Sequence, residues 1–310
     1  MNLVRQKSWL TGCLLVIGVV ALMLSGCTAT TSSQSKTTTT AHIRVVASLD
    51  FYGEAAQKIL GSAGTVTTVI NSPSIDPESF EPDIATAKRV AKANVVIQNG
   101  LGYDSWMDRL VAANATSQIH TVTLGQLLGR KMGDNPHLWS DPDLMITMTR
   151  QLVKQFSQLD PTHAADFQRR GAAYERQLAI LPRLVRQIKQ HAHGQAVAVS
   201  EPVFSLALQK MGYRVSDSHF AQAIEEDSDP TPADITQLQN QIKHHKIAFF
   251  VENTQNSSTN VATMVKLAHQ YHVPVVRVTE TMPVHQTYRD WMAGQYRQVL
   301  RIQQEARTSE

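Results

Sequence analysis

Cysteine is almost absent from this chain of 310 residues, which contains only Cys13 and Cys27. Cys13 lies within an apolar N-terminal segment, so removal of that segment would leave Cys27 as the single thiol. We expect an exported protein that is held together without disulfide bonds. A cysteine-ligated metal site is excluded as well, and any bound ligand must be held by oxygen, nitrogen or backbone groups.

Basic and acidic residues are nearly balanced, with neither in large excess. The 29 basic and 26 acidic residues give a formal charge of +3, and no long basic run occurs. The first 26 residues carry two basic and no acidic side chains, so the charge of the remainder falls to +1. This balance gives no support for nucleic-acid binding, and we expect no nucleic-acid partner.

Three catalytic motifs are missing: His-Glu-x-x-His, Gly-x-Ser-x-Gly and a phosphate loop. A metal-dependent hydrolase is nevertheless the competing hypothesis from another class. A catalytic zinc keeps an open coordination position and usually has a general base beside it. Without such a motif, we expect a binding protein and not an enzyme.

The N-terminal segment has the pattern of a bacterial lipoprotein signal. Arg5 and Lys7 precede an apolar or small stretch at 8–24, which continues into Leu-Ser-Gly-Cys and ends at Cys27. Cleavage before this cysteine leaves its thiol to carry lipid. The alternative is an uncleaved membrane-anchoring helix, for which about seventeen apolar residues are marginal. We expect a protein anchored by lipid on the outer face of the cell membrane.

The remaining chain alternates short apolar runs with helical periodicity, which predicts mostly parallel sheets flanked by helices. The predicted fold is α/β with two lobes joined by a long helical spine. Strands are predicted at 43–47, 65–70, 94–98, 119–123, 196–199, 247–251 and 275–278. The predicted segments are a signal peptide (1–26), a flexible Ser/Thr-rich tether (27–41), an N-terminal lobe (42–141), connecting helices (142–193) and a C-terminal lobe (194–310).

Two Asp-Pro pairs predict the starts of the connecting helices. Asp141 and Pro142 fit an N-cap and a first helical position for a helix over 142–158. Asp160-Pro161 repeats this signal for a second helix that runs to about His191. Pro182 lies inside it and is expected to kink or divide it.

Open parallel sheets place ligands beyond the carboxyl ends of their strands. Four side chains follow predicted strands in this way: Glu78, His137, Glu201 and Glu280. Taken singly, a loop glutamate is usually solvated, and a histidine such as His137 is more often a partly buried, hydrogen-bonded residue. Together they offer one imidazole and three carboxylates from two lobes, which predicts a site for a divalent cation.

Other polar residues are assigned structural or solvent-exposed positions instead of metal binding. Asp76 and Asp141 precede prolines and are interpreted as turn or cap residues. Three histidine pairs and one acidic run resemble metal spacings but are assigned to solvated helix faces, helix ends or loops. They are His191/His193, His244/His245, His269/His272 and Glu225-Glu226-Asp227 with Asp229.

Three stretches carry a family resemblance: Asp-Pro-Glu-Ser-Phe-Glu-Pro at 76–82, Asn-Gly-Leu-Gly-Tyr at 99–103, and Asn-Pro-His-Leu-Trp-Ser-Asp-Pro at 135–142. Through them the chain resembles, over about 42–305, the zinc/manganese-type solute-binding lipoproteins of metal ABC transporters. The resemblance implies one metal held between two lobes, with His137, Glu201 and Glu280 as ligands. It further implies a monomer that delivers the metal to an ABC permease. Surface adhesion is a further hypothesis, as a secondary role.

The chain departs from this family pattern at one position. Members usually have histidine after the first Asp-Pro, where this chain has Glu78. A glutamate can still offer carboxylate oxygen, so the position is kept as a ligand. If Glu78 does not bind, water, Asp76 or a nearby histidine such as His219 would complete the shell.

The ligand types also bear on the metal. Oxygen ligands suit Mn²⁺, whereas imidazole suits zinc, and affinity at an ordinary N/O site rises from Mn²⁺ toward Zn²⁺. Many zinc members carry a histidine-rich insert between their first two ligand loops, but residues 101–136 contain only His120. We expect Mn²⁺ or Zn²⁺ as the transported ligand, with Mn²⁺ ahead.

Overall fold

A computed structural model describes residues 42–114 and 118–308. The predicted signal peptide (1–26), its lipidation site Cys27 and the tether (27–41) lie outside the described residues. Within the described ranges, no helix is both long and apolar enough to cross a membrane.

Four parallel strands form the first sheet, in the order β2-β1-β3-β4. The strands are β1 (Ile43–Leu49), β2 (Gly64–Ile70), β3 (Val95–Gln98) and β4 (His120–Thr123). The helices between and after them are α1 (Asp50–Leu60), α2 (Ile84–Ala91), α3 (Ser105–Ala112) and α4 (Leu124–Leu127). Strand β3 is buried throughout, as expected for a central strand covered on both faces.

The second sheet repeats this arrangement, with the order β6-β5-β7-β8 and all pairs parallel. Its strands are β5 (Ala196–Val199), β6 (Arg214–Val215), β7 (Phe250–Asn253) and β8 (Val275–Val278). These two sheets confirm the predicted α/β architecture. The helices of this part are α8 (Ser205–Lys210), α9 (Ser218–Glu225), α10 (Pro232–Lys243), α11 (Thr259–Gln270) and α12 (Tyr288–Thr308), and the helices that connect the two sheets are described next.

The connecting segment contains α5 (Leu144–Leu159), α6 (Ala164–Leu178) and α7 (Ile180–Ala192). Helices α5 and α6 pack against α1 of the first lobe, whereas α7 packs against α12. The second connecting helix was predicted to be kinked or divided by Pro182, and it is divided at Ala179, between α6 and α7. Pro182 therefore occupies the first turn of α7, where a backbone N–H has no partner within the helix.

The C-terminal helix α12 contacts both lobes. The hydroxyl of Tyr288 donates to the carbonyl of Trp139 at 2.6 Å, and that of Tyr296 donates to the carbonyl of Ser140 at 2.9 Å. The largest buried apolar cluster includes side chains from both sheets and from α12. The two lobes therefore share a core, and α12 holds the loop that follows His137.

Some predicted boundaries are wrong. Helix α5 begins at Leu144 and not at Pro142, because the Asp141 carboxylate accepts the N–H of Asp143 at 3.0 Å in a preceding turn. The strand predicted at 247–251 is displaced to Phe250–Asn253, where its residues pair with β5 and β8. Strand β6 and helix α9 are additional to the predicted elements.

Candidate metal centre

An open cavity of about 500 Å³ lies at the carboxyl ends of strands from both sheets. The loop after β2 supplies one wall, and loops after β5, β7 and β8 together with the end of α9 supply the other. Six acidic residues line it: Asp76, Glu78, Glu201, Glu225, Asp227 and Glu280. The structure therefore gathers three of the predicted ligands at one acidic cavity.

The fourth predicted ligand, His137, is fully buried beside this cavity. The backbone N–H of His137 and its ring Nδ1 each lie 2.9 Å from Oδ1 of Asn135. A carboxamide oxygen can only accept, so Nδ1 carries the ring proton and Nε2 of the neutral ring keeps its lone pair. Tyr103 and Trp139 pack edge-on against the imidazole and fix its plane.

Carboxylates surround this free nitrogen. Nε2 lies 3.1 Å from Oε1 of Glu225 and 3.8 Å from Oε1 of Glu280. Within the described part of the chain, Nε2 is buried and completes no hydrogen bond. A buried polar atom without a partner is costly, and one that faces several anions is suited to a cation.

Glu280 is held by contacts from both lobes. Its Oε1 accepts a hydrogen bond of 2.8 Å from the hydroxyl of Tyr103, which follows β3 of the first sheet. The backbone N–H groups of Glu280 and Thr281 donate to Oε1 of Gln255 at 2.7 and 3.0 Å. These bonds fix the backbone directly after β8 and point the carboxylate toward His137.

Tyr103 is positioned by the turn at 99–102, where Gly100 and Gly102 have positive φ angles of 77° and 94°. The carboxylate of Asp104 accepts the N–H groups of Asn99 and Gly100 at 2.7 and 2.8 Å. The amide of Asn99 in turn donates to the carbonyl of Pro136 at 2.9 Å. The same turn thus supports both Tyr103 and the segment before His137.

Glu201 directly follows the buried end of β5. Its Oε1 accepts from the side-chain amide of Asn256 at 2.7 Å. Its Oε2 is buried and has no hydrogen-bond partner among the described residues. One oxygen is therefore fixed in place while the other is available for a ligand.

Glu78 lies in a turn built by Asp76. The Asp76 carboxylate accepts the N–H of Glu78 at 2.9 Å and the hydroxyl of Ser79 at 2.6 Å, which agrees with the predicted turn role. The indole N–H of Trp106 donates to the carbonyl of Pro77 at 3.1 Å and fastens the turn to the first lobe. Local hydrogen bonds therefore set the backbone of Glu78 and leave its carboxylate in the cavity.

The glutamate side chains of the cavity have pKa values above their ordinary range. Burial is the main reason that the pKa of Glu78 rises to about 7, and the charges of Glu225 and Glu280 add to it. Burial likewise raises the pKa of Glu201 to about 7 and also raises that of Glu280. For His137, burial lowers the pKa, but the contact with Glu225 and the surrounding carboxylates outweigh it and the pKa is raised. A divalent cation would offset this crowding of negative charge.

The described residues contain no group of three or more His, Cys, Asp or Glu side chains that is already arranged to hold a metal ion. The candidate ligands converge on the cavity without enclosing a common point. Direct capture would therefore need small inward movements of the carboxylates, which have rotatable stems, around the fixed imidazole.

The structure excludes one alternative ligand and adds another candidate. His219 is exposed, lies 3.9 Å from Oδ1 of Asp234 and lines a different cavity, so its suggested role at this site is wrong. Glu225, which was assigned to a solvated loop, instead contacts His137 from the last position of α9. The apolar spacing of Phe220, Ala221 and Ile224 is the sequence signal for this helix.

A chain of hydrogen bonds joins the lobes at the cavity rim. The side-chain amide of Gln255 donates to the carbonyl of Pro73 at 2.7 Å and to Oγ1 of Thr281 at 2.6 Å. The hydroxyl of Thr281 donates to the same Pro73 carbonyl at 3.0 Å. We call Gln255, Thr281 and Pro73 the rim latch, because it links the loop of Glu78 to that of Glu280.

The model of the family described as zinc-uptake complex component A, periplasmic (ZnuA), matches residues 45–301. The chain belongs to this family. The ZnuA family consists of substrate-binding proteins of metal transporters, which confirms the expectation that this chain is not an enzyme and removes the hydrolase hypothesis. The expected role in adhesion gains no support from the family.

Similar ZnuA-type relatives are named as metal-binding lipoproteins. The manganese-binding lipoprotein MntA of Halalkalibacterium halodurans is 25% identical over 257 residues, which cover 78% of this chain and 81% of that protein. The manganese ABC transporter substrate-binding lipoprotein PsaA of Streptococcus pneumoniae serotype 4 is 22% identical over 280 residues, or 85% and 87% of the two chains. Both relatives are thus matched over most of their length.

Solved structures show the same fold. FpvC of Pseudomonas aeruginosa, solved with Ni²⁺, has a TM-score of 0.71 and 21% identity over 86% of this chain and 98% of that one. The periplasmic zinc binding protein TroA of Treponema pallidum has a TM-score of 0.69 and 16% identity, over 84% and 99%. At 21% and 16% sequence identity, the structural similarity supports the fold but does not show which ligand this chain binds.

Proposed function

We propose that this chain captures one divalent metal ion between its two lobes for uptake by an ABC permease. The observation that carries the proposal is the buried imidazole of His137, whose unsatisfied Nε2 faces carboxylates of the second lobe. Glu78 approaches the same cavity from the first lobe, and Glu201 and Glu280 from the second. These four residues form the proposed ligand set.

The proposed cargo is Mn²⁺ in preference to Zn²⁺. Carboxylate oxygens outnumber the one imidazole nitrogen at the site, and hard oxygen ligands suit Mn²⁺. The names of MntA and PsaA, which are manganese-binding proteins, support the same choice. Zn²⁺ remains the competing cargo, because a given site of nitrogen and oxygen ligands has a higher affinity for Zn²⁺ than for Mn²⁺.

The proposed place of action is the outer face of the cell membrane. The lipoprotein pattern that ends at Cys27 supports a lipid anchor, and relatives are named lipoproteins of ABC transporters. The tether at 27–41 would let the folded body reach a permease in the same membrane. A C27A variant has no thiol to carry lipid and is expected to incorporate no radiolabelled fatty acid, whereas the wild type is expected to incorporate it.

Native mass spectrometry with elemental analysis tests the metal-binding role. Protein purified without added metal and then mixed with MnCl₂ is expected to retain one ion per chain. His137→Ala is expected to lose it, whereas His244→Ala, an exposed histidine at the end of α10, is expected to keep it. Equal retention by both variants would contradict the proposed site.

A further inference from the structure

Glu225 is closer to ligand geometry than the predicted ligand Glu280. Two atoms that each lie about 2.1 Å from one ion are about 3.0 Å apart at a right angle and about 3.4 Å apart at a tetrahedral angle. The separation of 3.1 Å between Glu225 Oε1 and His137 Nε2 falls in this range. The corresponding 3.8 Å for Glu280 exceeds it and requires a further approach.

The lack of a completed hydrogen bond at this contact also fits two ligands of one ion. Glu225 Oε1 lies 3.1 Å from Nε2, yet within the described residues this fully buried nitrogen completes no hydrogen bond. Ligands of one metal point at the ion and not at each other. An imidazole and a carboxylate that lie close together without completing a hydrogen bond fit such a pair.

Helix α9 holds Glu225 firmly at this place. At its start, the Asp217 carboxylate accepts the N–H of Val199 at 3.0 to 3.1 Å and ties the helix to β5. At its end, the N–H and hydroxyl of Ser228 donate to the carbonyl of Ala223 at 2.8 and 3.0 Å. The buried side chains of Phe220 and Ile224 fix the rotation of the helix.

This placement has an electrostatic cost. An anion at the C-terminal end of a helix faces the negative end of the helix dipole, and here it also faces the carboxylates of Glu78 and Glu280. A side chain that breaks local preference at a ligand cavity is more readily explained by function than by stability. The side chain of Glu225 is only 16% exposed, so solvent gives little compensation.

We infer that Glu225 is a fifth metal ligand, which places one carboxylate oxygen beside His137 Nε2 and favours a hard cation such as Mn²⁺. The inference rests on the proposed function, because it adds a donor to the same site.

Calorimetric titration of Glu225→Gln with MnCl₂ and with ZnCl₂ tests the inference. The amide keeps the size of the side chain but is a much poorer ligand. We expect Mn²⁺ binding to weaken at least about tenfold, which is the lower end of the loss seen when mere supporting partners of metal ligands are removed. Zn²⁺ binding is expected to weaken less. The matched control is Glu226→Gln, an exposed neighbour that accepts from Gln222 and is expected to bind as wild type.

The visible absorption of the Co²⁺-loaded protein separates a ligand from a remote charge, because it changes with coordination number and geometry. A changed spectrum in Glu225→Gln, with a wild-type spectrum in Glu226→Gln, supports the inference. An unchanged spectrum, or Mn²⁺ affinity equal to or above wild type, would overturn it and make Glu225 only a charge or a competitor of the metal. If the wild type binds no ion, the proposed function fails first and the inference with it.

Discussion

At the residue scale, Asn135 fixes the ring of His137, the proposed metal ligand. The oxygen of Asn135 accepts from both the backbone and Nδ1 of His137, so the ring orientation and tautomer are set before any ligand arrives. The carboxylates are less constrained, since each has at least one oxygen that faces the cavity or lacks a partner in the described structure. The fixed imidazole is therefore the reference point of the site.

Replacement of Glu78 by histidine tests how the ligand types select the metal. Glu78→His substitutes a borderline nitrogen donor for a hard oxygen donor, so the ratio of Zn²⁺ to Mn²⁺ affinity is expected to rise by about tenfold or more. Competition titration with a metal-sensitive dye measures this ratio. Glu81→His, in the same loop and exposed, is the control and is expected to leave it unchanged.

Acid is expected to weaken metal binding from neutrality downward. Glu78 and Glu201 have pKa values of about 7, so below that pH an arriving ion must displace protons from them. Affinity is expected to fall by about tenfold per pH unit for each displaced proton. Calorimetry in buffers of different ionisation enthalpy counts the protons released. Affinity that stays constant between about pH 7 and about pH 5 would contradict a carboxylate-rich site.

At the element scale, much of the fold was predictable because apolar runs mark buried parallel strands. The same logic predicted that Glu201 and Glu280 meet where β5 and β8 end, and both line the cavity. His137 lies farther along the chain, after β4 and α4, and is buried beside the same cavity. It could not find Glu225, which is the last residue of helix α9 and follows no strand. The polar residues after Ile224 hide the short apolar face of α9 in a single sequence. Their role as ligands stays a prediction for all of these residues.

The rim latch is expected to slow metal release. Gln255→Ala removes the bonds to Pro73 and to the backbone of Glu280, and each neutral hydrogen bond contributes about 1 kcal/mol. Mn²⁺ dissociation, followed by stopped flow with a chelator, is expected to accelerate roughly fivefold or more. Gln298→Ala removes a similar pair of bonds to the backbone of Arg277 outside the cavity. An equal effect of both variants would show general destabilisation instead of a latch.

At the scale of the whole molecule, we expect metal binding and stability to be coupled through the crowded carboxylates. The pKa of Glu78 and of Glu201 is raised from 4.5 in the reference state to about 7 in the fold. The metal-free folded state therefore binds more protons than the unfolded state between these values. Its free energy of unfolding is expected to fall as pH rises from 4.5 to about 7 and then to lose no more from these groups.

Denaturant unfolding at several pH values checks this linkage. A Glu78→Gln/Glu201→Gln double variant is expected to show a smaller decline, because neither amide titrates. The decline that remains belongs to other buried carboxyls such as Asp50 and Asp217, whose pKa values burial raises to about 6 and about 8. Saturating Mn²⁺ is expected to reverse the trend, since the ion favours the ionised carboxylates and adds about 2.7 kcal/mol at a hundredfold excess over Kd. A decline of the same size in the double variant would assign it to other groups.

The central claim is that both lobes bind one ion beside His137. Anomalous diffraction from crystals grown with MnCl₂, recorded at the manganese edge, tests it most directly. The account predicts a single strong peak in the acidic cavity, about 2.1 to 2.3 Å from Nε2 of His137 and within ligand distance of carboxylates from the two lobes. No peak in this cavity, or a peak bound only by residues elsewhere, would contradict the account.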